Sequence, residues 1–229
     1  KRPVDEVPTI ALTGEIFVRR DSLSRRYLTT MLADRGFAVI CSPIAEWVHY
    51  CSFLMDHGIV SDRLTGIDKL KFILRKKFMG RYEKRIKSAL TRSGLTHAAP
   101  VDINEVIHHA AGFISPDLAG EAILTVGSSL AEIASRACGV IAIGPFGCMP
   151  NRISEALLSE LMTGAEKLAT DPEDERLKDI LLDMEDLPFL AIESDGSPFP
   201  QLINAKLEAF CLRAERLHKR MHVRQHQVP

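Results

Sequence analysis

Apolar residues fall along this chain in two rhythms. Four short runs are almost continuously apolar: "TIALTG" (9–14), "FAVICS" (37–42), "GVIAIG" (139–144) and "PFLAIES" (188–194). They do not alternate with polar residues, which is how strands buried on both faces of a sheet read. Between them the apolar positions recur at helical spacing. "SLSRRYLTTMLADRG" carries Leu23, Tyr27, Met31 and Leu32 and stops at Gly36. "SPIAEWVHYCSFLMDHG" starts with Ser42 as N-cap and Pro43 at the first helical position. "DLAGEAILTVGSSLAEIASRACG" reads as a helix before the third run, and "PNRISEALLSELMTGAEKLA" as one after it, opened by Pro150. "FPQLINAKLEAFCLRAERLHKRM" closes the chain as a helix.

Strands and helices that alternate in this way predict an α/β fold: a four-stranded parallel sheet with helices on both faces, doubly wound, flavodoxin-like or Rossmann-like. Right-handed crossovers constrain the topology, and the expected order is flavodoxin-like, with strand 2 outside strand 1. The interval 57–118 is too long for one crossover and reads as a helical insertion within a single α/β domain spanning 1–229. Its core, "IDKLKFILRKKFMGRYEKRIKSALTRSG", holds ten Lys and Arg against Asp68 and Glu83. Its apolar residues Leu70, Ile73, Leu74, Phe78, Tyr82, Ile86 and Leu90 fall at helical spacing and predict packing against the rest of the protein. For the basic side the default is a solvated face, or one docked on an acidic neighbour. A site for a CoA phosphate or other anion, and nucleic acid, are the alternatives. A compensating acidic run, "DPEDERLKDILLDMED" (171–186), reads as a surface helix or loop before strand four.

Composition narrows the class. The 229 residues are 46% hydrophobic and 26% charged with net charge −1, ordinary for a globular chain and without a global pull toward nucleic acid or an anionic membrane. No apolar stretch approaches the roughly 20 residues that span a bilayer. The start "KRPVDEVPTI" has no apolar core of a signal peptide, and it enters the first strand without an initiator Met. The chain therefore reads as a piece of a longer protein. Its five cysteines, Cys41, Cys51, Cys138, Cys148 and Cys211, are odd in number, widely spaced and without CxxC. This favours a reducing cytoplasm over a disulfide framework, and no complete zinc site is visible.

Ligands of open parallel sheets bind beyond the carboxyl ends of the strands. Here those ends carry Thr13-Gly14-Glu15, then Cys41 and Ser42, then Gly144 to Cys148, then Glu193, Ser194 and Asp195. Cys148 precedes a helix with Pro150 in its first turn, where the helix dipole favours a thiolate. A metal ligand, a nucleophile or a small residue that fits the turn all remain open. A nucleophile needs a base, and His49, His57, His97, His108 and His109 stand in no recognisable pattern. Adjacent His108 and His109 point to different helix faces, which argues against a shared metal. One cysteine does not hold a metal or iron–sulfur centre, so partners would come from Cys41 or from outside the chain. Cys138 and Cys211 read as core residues. The segment after the first strand has neither GxGxxG nor GK[ST]. There Gly14 permits a tight turn, and Glu15 is an acid, a base or a hydrogen-bond partner of a loop amide. Glu121 sits among small residues, between Gly120 and Gly127, where a backbone or ligand could approach closely. Trp47 in "EWVHY" reads as a core or domain-contact aromatic.

Taken in order, "VPTIALTGEIFVRRDSLSRRYLTTMLADRGFAV", "EWVHY", "GEAILTVGSS", "GVIAIGPFGCMP" and "PFLAIESDGSPFPQLINAKLEAF" resemble the 2-hydroxyacyl-CoA dehydratase family. The closer resemblance is to the dehydratase-like region of large CoA-substrate-specific enzyme activases. The resemblance implies a [4Fe-4S] cluster held by cysteines and an ATP-dependent activator that passes one electron for a radical dehydration. It makes Cys148 the cluster-ligand candidate, with the other ligands in a preceding part of the full protein. The chain alone is then expected to hold no cluster and to be inactive, with ATP bound only by the activator region. Implied partners are the activator ATPase, the missing dehydratase-like region and an acyl-CoA, with no nucleic acid and no membrane. Gly14, Glu15, Cys41, Ser42, Glu121 and Asp195 are the candidate rim residues. Asp195 is kept, but Asn204 and Lys206 stand near where the family often has a Thr-Arg pair. A non-catalytic docking module for an activator or sister domain is the alternative function.

Overall fold

The structure, a computed structural model, describes residues 6–60, 66–94 and 100–225. The chain divides into two compact units, one of residues 1–42 and 105–229, the other of residues 43–104.

In the first unit β1 (Thr9–Gly14) leads through α1 (Leu28–Asp34) to β2 (Ala38–Cys41). The second unit holds α2 (Ile44–Asp56) and α3 (Gly66–Thr91), and α4 (Ile103–Ala110) begins at its end. The first unit then continues through α5 (Glu121–Glu132), β3 (Gly139–Pro145), α6 (Met149–Leu161), α7 (Gly164–Thr170), α8 (Glu175–Leu181), β4 (Phe189–Ser194) and α9 (Gln201–Gln225). The four strands form one all-parallel sheet in the order β2-β1-β3-β4, the flavodoxin-like order. The fold class and the place of the second strand are as the sequence predicts.

Two glycines of β3 show how both faces are covered. A side chain at Gly139 would strike the Phe210 ring of α9 at 2.7 Å, and one at Gly144 would strike Asn151 of α6 at 2.6 Å. Residues five apart in a strand face opposite sides. So α9 and α6 cover opposite faces, and α5 packs beside α6. Ile10, Leu12, Val140, Ile141 and Ile143, between these layers, are fully buried.

Several helices depart from the pattern. Residues 16–27 form turns, with Arg26 and Tyr27 at positive φ, and α1 begins only at Leu28. Its buried residues are Leu28 and Leu32, while Leu23 and Tyr27 lie exposed. Local bonds explain the late start. Asp21 caps Ser24, and Arg25 donates to the carbonyls of Arg19 and Arg20, holding the chain in turns. The N-cap of α2 is Pro43 and not Ser42. The helix after Pro150 breaks at Met162, where Thr163 accepts from the Glu166 amide and starts α7. The acidic run contributes α8, capped by Asp174, with Leu177, Ile180 and Leu181 turned inward.

The largest departure is α3. The helix forms, but none of its residues is buried. Ile67, Leu70, Ile73, Leu74, Phe78, Tyr82, Ile86 and Leu90 are all exposed, so the predicted packing of this stripe is overturned. What fixes α3 within its unit is polar. Lys76 pairs with Asp56, and Glu83 accepts from the Val101 amide at 3.0 Å and bonds His49 at 2.7 Å. Among the described residues no helix is long and apolar enough to cross a membrane.

Candidate functional site

Gly14 sets the geometry at the carboxyl edge of the sheet. Its φ is +105°, and a side chain there would meet the Ile143 carbonyl oxygen at 2.1 Å. This close approach lets the Glu15 amide donate to that carbonyl at 2.9 Å, so the chain leaves β1 pressed against β3. Glu15 then organises the turn it opens. Its Oε2 accepts from the Phe17 and Val18 amides at 3.1 and 2.7 Å. Glu121, at the start of α5, accepts from the Ile16 amide at 3.2 Å. Burial raises the Glu121 pKa above its ordinary value; the Ile16 amide opposes this, and the Glu15 charge adds to it. Buried Arg19 donates to the Gly14 carbonyl at 2.6 Å beneath this turn. Both carboxylates are thus engaged by loop amides.

The segment 15–27 spans the rim from one outer strand to the other. Toward β2, Arg20 donates to the carbonyls of Cys41 and Ser42 at 3.3 and 2.7 Å, and the Cys41 thiol faces the Arg19 carbonyl at 3.5 Å. Toward β4, Ser194 donates to the Ser24 carbonyl, and Arg26 donates to the Gly196 carbonyl at 3.1 Å. The loop after β4 is closed on itself, because the Ser197 amide binds Asp195 at 2.8 Å. This bond holds the exposed Asp195 carboxyl below its ordinary pKa.

Cys148 is the N-cap residue of α6. It is half-buried and free, and its sulfur makes no hydrogen bond among the described residues. Phe146 and Met149 beside it are 74% and 66% exposed, so the thiol sits in an uncovered apolar stretch. The loop is anchored to β4. The Phe146 amide donates to the Ser194 carbonyl at 3.0 Å, and Glu193 takes both the Gly147 amide at 3.4 Å and Arg152 Nε at 2.8 Å. A cleft of about 380 Å³ opens on the β4 side, between Phe146, Arg152, Glu193, Asp195, Phe199 and Lys206.

Segment 15–27 therefore ties Gly14, Glu15, Cys41, Ser42 and Glu121 into one hydrogen-bonded collar, and the loops that carry Cys148 and Asp195 join it only through backbone bonds at Ser194 and Gly196. Cys138 and Cys211 lie in the core, and burial pushes the Cys138 thiol up to about 12, where it is inert at neutral pH. Among the histidines, His49 is engaged by Glu83, and His57 stacks on Phe53 with ring centroids 4.0 Å apart. His97 lies outside the described residues. Trp47 is half-buried, 5.6 Å from the Tyr50 ring.

Sequence reasoning missed a polar cluster in the first unit. Lys167 is fully buried and donates to the Leu130 carbonyl at 2.7 Å and to Asp171 at 2.5 Å. His109 places Nε2 3.2 Å from Asp171 and Nδ1 2.9 Å from the Glu105 carbonyl. An open depression of about 530 Å³ lies beside it. Burial lowers the Lys167 pKa, with Asp171 opposing. For Asp171 burial works upward, but Lys167 and His109 hold the carboxyl below its ordinary value. The i,i+4 spacing of Lys167 and Asp171 was the one signal in the sequence.

Among the described residues no group of three His, Cys, Asp or Glu could hold a metal ion. The chain matches no family model, no curated protein and no solved structure.

Proposed function

We propose that this chain is a dehydratase-like iron–sulfur module. In this reading Cys148 contributes one thiolate to a [4Fe-4S] cluster whose other ligands come from a second region or subunit. The module belongs to a CoA-substrate-specific enzyme activase related to ATP-driven radical dehydration of a 2-hydroxyacyl-CoA, with ATP bound by the activator. One observation carries the reading: Cys148 caps α6 at the carboxyl edge of the sheet, half-exposed between uncovered Phe146 and Met149. A thiol so placed can be reached by another protein surface, and the apolar neighbours would exclude water once covered. Five free cysteines suit the reducing cytoplasm that this chemistry needs.

The test is anaerobic purification of the protein together with the region or subunit that supplies the other ligands. Iron and sulfide analysis and electron paramagnetic resonance are then run on wild type and Cys148→Ala. A reducible cluster that is lost in the variant is the expected result. Unchanged iron content in the variant removes Cys148 as a ligand and leaves the docking-module reading, in which the same edge only contacts an activator or sister domain.

A further inference from the structure

A 26-residue helix with no buried residue and most of its large apolar side chains exposed is an unusual thing for a globular chain to build, because burial of one face is what ordinarily holds such a helix in place. On α3 the exposed Leu70, Leu74, Phe78, Tyr82, Ile86 and Leu90 stand at every fourth position. Residues at this spacing form one of the ridges through which helices interdigitate. The ridge runs roughly 30 Å along the axis at 1.5 Å per residue. A second row, Lys77, Arg81 and Arg85, runs alongside it and is also exposed. Over its whole length α3 carries nine Lys and Arg against Asp68 and Glu83, a net charge of +7.

We infer that α3 is a docking surface for an acidic amphipathic helix of a partner protein, which lays apolar side chains along the ridge and carboxylates against the Lys77–Arg85 row. Charge complementarity selects the acidic partner, and the ridge selects a helical one. Other occupants fit less well. A bilayer-bound helix segregates its basic and apolar faces, whereas here the basic row lies directly beside the ridge. Nucleic acid would meet the basic row but leave six large apolar side chains in water. A second copy of this chain offers the acidic run 171–186, but Leu177, Ile180 and Leu181 are buried there, so that surface has little apolar area to cover the ridge. The inference rests on α3 alone and stands or falls independently of any cluster at Cys148.

The experiment measures binding of the intact chain to a fluorescent peptide of about 20 residues, the length of the ridge. The peptide carries Leu at i, i+3, i+4 and i+7 positions, with Asp and Glu elsewhere and a net charge opposite to that of α3. A shuffled peptide of equal composition, vesicles of phosphatidylcholine with phosphatidylserine, and sedimentation of the chain alone are run beside it. The patterned peptide is expected to bind at least tenfold more tightly than the shuffled one and to weaken with salt. Leu74→Ser with Phe78→Ser should weaken it by about tenfold or more, and Arg81→Glu with Arg85→Glu similarly. All four positions are exposed, and circular dichroism verifies that the variants remain folded. Equal binding of the two peptides overturns the inference, as does vesicle binding that the apolar substitutions abolish. Self-association that the same substitutions dissolve overturns it too.

Discussion

At Gly14 and at Lys167 single atoms decide how the first unit holds together. Gly14 combines φ of +105° with backbone contact to Ile143, so Gly14→Ala is both strained and clashing. The variant is expected to lose about 3 kcal/mol or more in urea denaturation, because the clash is with backbone and no side chain can swing away. A loss below about 1 kcal/mol would show that β1 and β3 separate more easily than their register implies. Lys167 is fully buried, and its charge is answered by Asp171 and the Leu130 carbonyl. Asp171→Asn leaves that cation unneutralised and is expected to cost about 3–5 kcal/mol, whereas Lys167→Met, which removes the buried charge, costs less. The same pair gives a pH dependence. The Asp171 pKa is lower folded than unfolded, so its stabilisation is present above the unfolded value and is lost as pH falls through the folded one. Asp171→Asn should therefore flatten the acid limb of the stability profile below about pH 4. An unchanged acid limb would mean that other carboxylates set it.

Helical glycines show where sequence reading stops. Gly80 in α3 and Gly127 in α5 both interrupt helical patterns, and the small residues around Gly127 hint at a close approach without naming its partner. In the structure a side chain at Gly80 meets nothing within 4 Å, while one at Gly127 would strike the Val106 carbonyl oxygen at 1.9 Å. Gly80→Ala is accordingly expected to strengthen α3 by about 0.5–1 kcal/mol, the intrinsic advantage of alanine in a helix, read as slower amide exchange within α3. Gly127→Ala should destabilise the first unit by several-fold more in denaturant, since α4 and α5 would be forced apart there. Opposite signs are the point; two losses of similar size would contradict it. The α3 stripe follows the same logic. Periodicity made the helix legible, because it depends only on local spacing. Whether the stripe is covered depends on what lies opposite, and that is no property of the segment. The late start of α1 was hidden for a different reason: bonds from Asp21 and Arg25 compete with the helix over residues that a periodicity count treats as helical.

Across the whole molecule the sheet was the most legible feature. Its strands are continuous apolar runs, and handedness leaves few ways to connect them. The rim was legible as a set of chain positions, since any parallel sheet delivers its strand ends to one edge. The collar that joins them was not, because it is made by Arg19, Arg20 and Arg26, whose partners are carbonyl oxygens without a sequence signature. These two kinds of order should differ in dynamics. β1 and β3 are central, with Ile10, Leu12, Val140 and Ile141 fully buried, so their amides can exchange only when the first unit opens as a whole. Every α3 side chain lies at or near the surface, and the helix is held in its unit by the Asp56, His49 and Val101 bonds, so its amides need only local opening. Hydrogen exchange read by mass spectrometry on the chain alone should rank β3 slowest and α3 among the fastest helices. Adding the patterned acidic peptide should slow α3 and leave β3 unmoved. Protection of α3 equal to that of β3 before any peptide is added would mean that the ridge is already covered, and the docking surface would have to be sought elsewhere.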